Sequence, residues 1–131
     1  MSGPVDDASG FTVLVVDDDA TLRELYAQLL REQGYRVETA ANGAEAVQAV
    51  RLSRPDLVLI DYEMPILDGL AAAREIRALA GTPPPIVMIS SRSDAATRAA
   101  AAAAGIARYL VKPVSLARLQ SVVADHVEAR P

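Results

Sequence analysis

Leu57-Val58-Leu59-Ile60-Asp61 is a run of aliphatic residues stopped by a carboxylate. So short a run, apolar on both of its alternating faces, suits a strand buried on both sides, as strands are in a parallel sheet covered by helices. Three more runs share its form. Val13-Leu14-Val15-Val16 stops at Asp17-Asp18-Asp19, Ile86-Val87-Met88-Ile89 at Ser90, and Tyr109-Leu110-Val111 at Lys112-Pro113. If the four are parallel strands of one sheet, their polar endings meet along one edge.

The intervening segments read as helices. Leu22, Leu25, Tyr26, Leu29 and Leu30 recur at helical spacing before Gly34, and the start can be capped by Asp19 or by a Thr21–Glu24 capping box. Arg36 to Ala40 alternates weakly as a strand, and Asn42-Gly43 turns into a helix over Ala44 to Ser53. Beyond Asp61, a loop through Met64-Pro65 and Asp68-Gly69 leads to a helix carrying Leu70, Ala73, Ile76 and Leu79, which Gly81-Thr82-Pro83-Pro84-Pro85 ends. An alanine-rich helix over Asp94 to Ala104 stops at Gly105, and a last one from Leu116 bears Leu119, Val122, Val123 and Val127 on one stripe. Strand and helix thus alternate five times. That order predicts an α/β fold with a doubly wound parallel sheet, whose binding crevice lies beyond the carboxyl ends of the strands.

A chain of 131 residues, 51% hydrophobic, is one ordinary domain with a sizeable core. We expect a disordered acidic tail over residues 1–10 and the folded domain over 11–131. The net charge of -4 argues against direct nucleic-acid binding, which calls for clustered Lys and Arg. The chain has no cysteine, no apolar stretch of membrane-spanning length and no signal-peptide pattern, so a cytoplasmic protein with no membrane partner is expected. Of its 13 basic residues, Lys112 is the only lysine. A compact, mobile ammonium at a strand ending does what the planar guanidinium of Arg cannot.

Asp17, Asp18 and Asp61 carry the chemistry. Three carboxylates within about 4 Å repel by several kcal/mol per pair even at an effective dielectric near 20, so they protonate or hold a cation. Hard oxygen donors select Mg²⁺, which keeps open sites for phosphate oxygens. Lys112 can pair with Asp61 when the site is empty and with a phosphoryl oxygen when it is filled, while the Ser90 hydroxyl offers another donor. With Asp61 as nucleophile this set suffices for phosphoryl transfer, which needs mainly positioning and charge neutralisation. His126, alone near the end of the last helix, reads as a surface or core-edge residue, so the donor must be another protein.

Val15-Val16-Asp17-Asp18, Asp61-Tyr62-Glu63-Met64-Pro65, Asp68-Gly69, Ile89-Ser90 and Tyr109-Leu110-Val111-Lys112-Pro113 together resemble the receiver domains of two-component response regulators. The resemblance spans about residues 12–128. It implies a flavodoxin-like (βα)5 fold with sheet order 2-1-3-4-5, and a phosphorelay role as a signalling domain rather than an enzyme. It also implies that Asp61 is the phosphoacceptor, that Asp17, Asp18, Asp61 and the main-chain carbonyl of Glu63 serve Mg²⁺, and that Lys112 binds the phosphoryl group. Ser90 and Tyr109 match the switch pair acting on the face formed by the fourth helix, fifth strand and fifth helix, and a cis bond is expected at Lys112–Pro113. The implied partners are a histidine kinase or histidine phosphotransfer protein and a downstream protein target. Glu63 and Arg92 are expected to pair across the phosphoryl group and tune its lifetime. Val114 and Arg108 depart from the family pattern, the latter putting an acidic and basic dimer ladder in doubt. The alternatives are a Mg²⁺-dependent phosphohydrolase with an aspartyl nucleophile, and a receiver cut from a longer regulator or hybrid histidine kinase.

Overall fold

The computed structural model describes residues 10–129, so nine of the ten residues of the expected acidic tail lie outside it. Strands and helices alternate throughout: β1 (Thr12–Val16), α1 (Ala20–Glu32), β2 (Arg36–Ala40), α2 (Gly43–Ser53), β3 (Leu57–Asp61), α3 (Gly69–Arg77), β4 (Ile86–Ser90), α4 (Ala95–Ala103), β5 (Arg108–Val111) and α5 (Leu116–Ala129). All strand pairs are parallel, in the order β2-β1-β3-β4-β5. The doubly wound α/β expectation holds.

The apolar runs are continuous because each strand feeds two cores. Leu14, Val16, Val58, Ile60, Ile86 and Met88 face one side with Val47 and Val50 of α2, Ile76 of α3 and Ala101 of α4. Their alternate neighbours Val13, Val15, Leu57, Leu59, Val87 and Ile89 face the other, with Leu30 of α1 and Leu119, Val122 and Val123 of α5. Polar residues inside these runs would land in one core or the other.

The helix starts follow side-chain chemistry. Asp19 caps α1, accepting from the N–H groups of Thr21 and Leu22, while Asn42, Asp68 and Asp94 cap α2, α3 and α4. Of the two expected caps for α1, the Thr21–Glu24 box is not the one used. Glu24 instead reaches along the helix to Arg31, 3.4 Å away. At the other end of α2 the left-handed position falls to Arg54 (φ 50°), whose side chain donates to the Ala80 carbonyl at 2.8 Å.

The order reverses between β1 and β3, which opens the crevice at their carboxyl ends. Val16 stands beside Ile60, Asp61 beside Ile89, and Ser90 beside Val111. This register brings Asp17, Asp61, Ser90 and Lys112 to one edge.

Candidate functional site

Each polar residue of this edge is the first to leave its strand, or the last in it. Asp17 and Asp61 are 3% and 4% exposed, so their carboxylates sit almost out of water, whereas Asp18 is exposed. Ligand oxygens of Asp17, Asp18 and Asp61 all lie within 4.8 Å of one another. The first cause acting on both buried groups is loss of hydration. It pushes Asp17 above the usual carboxylate range and Asp61 up to about 6, against the opposing pull of Lys112. Crowded, desolvated oxygen donors of this kind fit a hard divalent cation, which would replace both the missing water and the missing positive charge.

Lys112 supplies part of that charge, its Nζ lying 2.8 Å from Asp61 Oδ1. Burial works against the ammonium, but Asp61, Asp17 and Glu63 outweigh it and hold Lys112 above its ordinary value. Its main-chain N–H donates to the Ser90 carbonyl at 2.8 Å, and the bond to Pro113 is cis, as expected.

Gly69 closes the floor. A side-chain carbon there would fall 2.3 Å from the Asp61 carbonyl oxygen, so α3 can start beside β3 only without one.

Ser90 is completely buried. Its hydroxyl donates to Glu63 Oε1 at 2.7 Å and accepts from the Arg92 N–H at 3.0 Å, and Ser91 adds a 3.3 Å bond to the same Glu63 oxygen. Arg92 Nε is 3.9 Å from Glu63 Oε1, with the guanidinium 5.2 Å from the Tyr62 ring centre. The expected Glu63–Arg92 contact is therefore present but loose. Its looseness has a partner not foreseen from the sequence, since Glu63 is already engaged by the two serines. The adjacency of β3 and β4 was the available signal: it sets residues 62 and 63 facing 90 to 92.

Tyr109 lies outside the carboxylate cluster. Half-buried, it donates its hydroxyl to the Arg92 carbonyl at 2.7 Å, and Arg98 of α4 covers its ring at 5.1 Å. A separate cavity of about 480 Å³ opens at the amino ends of the strands, among Phe11, Pro83, Pro84 and His126, with none of these polar groups in its wall.

Residues 13–124 match the model of the response regulator receiver domain. The chain belongs to this family. The receiver domain is 41% identical over 107 residues to the transcriptional regulatory protein PrrA of Mycobacterium tuberculosis, covering 82% of this chain and 46% of PrrA. It is 41% identical over 123 residues to PdtaR of the same species, covering 91% of this chain and 59% of PdtaR. It thus spans about half the length of the curated relatives it matches. Among solved structures it resembles the receiver domain of the sensor histidine kinase PA1611 of Pseudomonas aeruginosa, with a TM-score of 0.83, 33% identity, and coverage of 92% of this chain and all of that one. That structure holds a magnesium ion in its active-site cleft. The chemotaxis protein CheY4 of Vibrio cholerae is similar too, with a TM-score of 0.81, 30% identity, and coverage of 87% and 96%. These likenesses favour a signalling receiver over the phosphohydrolase alternative. Among the described residues no helix is long and apolar enough to cross a membrane.

Proposed function

We propose that this receiver domain takes a phosphoryl group onto Asp61 from a phosphohistidine of a partner kinase or phosphotransfer protein, and signals through the changed shape of its α4–β5–α5 face. The observation that carries the reading is the buried Asp61 carboxylate, 2.8 Å from Lys112 and crowded by Asp17 and Asp18. An Asp61 carboxylate oxygen attacks phosphorus, the phosphorus–nitrogen bond breaks, and the leaving imidazole keeps the electron pair and takes a proton. Lys112 passes from the Asp61 oxygen to an oxygen of the bound phosphoryl group, and Ser90 donates its hydroxyl to another.

Asp17, Asp18, Asp61 and the main-chain carbonyl of Glu63 would hold Mg²⁺ here. The ion supplies neutralisation of the carboxylates and of the phosphoryl oxygens between them. With Ser90 drawn toward the phosphoryl group, Tyr109 moves into the space it vacates, and α4 and β5 present a new surface to a downstream protein in the cytoplasm. Glu63 and Arg92 stand over the same group and hinder the water that would hydrolyse it. Phosphoryl loss is this domain's own chemistry, with no turnover of a free substrate.

Incubation with acetyl phosphate and Mg²⁺, followed by intact mass measurement, tests the assignment. The expected result is a Mg²⁺-dependent gain of one phosphate that Asp61→Asn abolishes. The same gain in that variant would move the acceptor elsewhere.

A further inference from the structure

A serine hydroxyl has one proton to donate. In this structure the proton of Ser90 is spent on Glu63, a carboxylate acceptor at 2.7 Å, so it is not available to a phosphoryl oxygen on Asp61. We propose that Glu63 is a resting-state latch: its carboxylate holds the Ser90 hydroxyl away from the phosphoacceptor, and phosphorylation signals by winning that hydroxyl from it. The proposal rests on the reading of Asp61 as phosphoacceptor and adds to it a competitor for the switch residue.

The latch is built rather than incidental. Ser90 is wholly buried and has no water to turn to, so its O–H must choose between protein or ligand acceptors. A charged acceptor roughly doubles the strength of such a bond, which makes Glu63 a serious rival to a phosphoryl oxygen. Ser91 and Arg92 approach the same Glu63 oxygen, Oε1, at 3.3 and 3.9 Å and help to hold the carboxylate in place.

The latch also has an outlet. The Arg92 N–H donates to Ser90 Oγ, and the carbonyl of the same residue accepts from the Tyr109 hydroxyl. When Ser90 rotates toward Asp61, the Arg92 N–H loses its acceptor. That N–H and the carbonyl used by Tyr109 lie on the two peptide planes that meet at the Arg92 Cα, so a turn of the first plane reaches the second, and the bond holding Tyr109, through the backbone dihedrals of Arg92. Glu63, Ser90, Arg92 and Tyr109 thus form one continuous path from the reaction centre to β5. Freed of Ser90, Glu63 can close on Arg92, so the latch and the water-hindering pair act in succession.

Glu63 acts through Ser90 and is a positioning residue, which a double-mutant cycle isolates. Beryllofluoride with Mg²⁺, a stable phosphoryl mimic, is titrated into the wild type, Glu63→Ala, Ser90→Ala and the double variant, with binding followed by backbone amide NMR. Release of the latch should tighten binding about ten-fold in Glu63→Ala, the size of one charge-assisted hydrogen bond, and change little when Ser90 is already alanine. The Arg92 amide of unliganded Glu63→Ala should also move toward its position in the bound wild type. Equal tightening in both backgrounds would mean that Glu63 acts only as a nearby negative charge, and would overturn the latch. An unmoved Arg92 amide would overturn it as well. Failure of the wild type to bind the mimic at all would instead overturn the reading of Asp61 beneath both.

Discussion

The two ends of the sheet solve opposite problems with the same five strands. At the amino ends, the chain enters β1 over the paired rings of Phe11 and Tyr35, 5.8 Å apart, and Asp56 accepts from the Thr12 N–H at 2.8 Å. Apolar groups are buried there and the Asp56 carboxylate is paired, although the buried Tyr35 hydroxyl has no hydrogen-bond partner among the described residues. At the carboxyl ends, Asp17 and Asp61 are buried with like charges for neighbours, and one ammonium, that of Lys112, stands against Asp61. One end is arranged for the folded state alone. The other gathers desolvated carboxylates that a cation would balance.

Removing an amino-end anchor should have the largest effect and only on stability. Phe11, 1% exposed, fills the base of one core, and Phe11→Ala should destabilise by about 3–5 kcal/mol in urea melts. The folded fraction should still take up phosphate from acetyl phosphate at the wild-type rate. A lost rate with intact folding would show that the two ends are coupled.

At the carboxyl end the converse is expected of Gly69→Ala. Its new methyl group cannot sit 2.3 Å from the Asp61 carbonyl, so the end of β3 must shift. A displacement of that size should slow phosphate uptake about a hundred-fold. Uptake within a few-fold of wild type would show that the loop, not β3, yields.

The pH dependence of stability separates the ends more gently. Burial pushes Asp61 up to about 6, and Asp17 up as well, so around pH 5 the folded, metal-free chain keeps a proton that an ordinary carboxyl, near 3.8, has released. The folded state binds more protons than the unfolded one. Stability therefore falls as pH rises from about 4 to about 6, by on the order of 2 kcal/mol, and then levels off. Thermal melts in EDTA should show this decline, Asp61→Asn should remove most of it, and Mg²⁺ should restore stability at neutral pH. A flat profile in the wild type would mean that Lys112 already balances the cluster.

The smallest effect expected is kinetic. Arg92→Ala should shorten the lifetime of the phosphorylated domain by a few-fold, read as phosphate loss over time after donor removal. An unchanged lifetime would discard the water-hindering role of the Glu63–Arg92 pair.

How much of this was readable from the residues varied with the range of the interaction. The strands were legible because burial on both faces forbids polar residues within them, and the polar set was legible because a residue ending such a run has only the sheet edge to occupy. Caps were harder. Asp19 and Thr21 both offer an oxygen at the right spacing, and only the extended backbone at Asp19 (φ -80°, ψ 107°) decides which is used. At the end of α2, Pro55 marks locally that Arg54 leaves the helix, but the bond from its side chain to the Ala80 carbonyl, 26 residues away, carries no local signature. The grip of Glu63 on Ser90 needed the β3–β4 register, and hence the tertiary fold, before it could be seen.

Lys112 is the chain's only lysine, and it stands 29% exposed over Asp61. Apart from the terminal amine, then, an acylating reagent finds just one primary amine on the molecule, and that amine is at the reaction centre. Its protection by a bound partner or by a phosphoryl mimic would report occupancy directly, with no probe to be engineered into the chain.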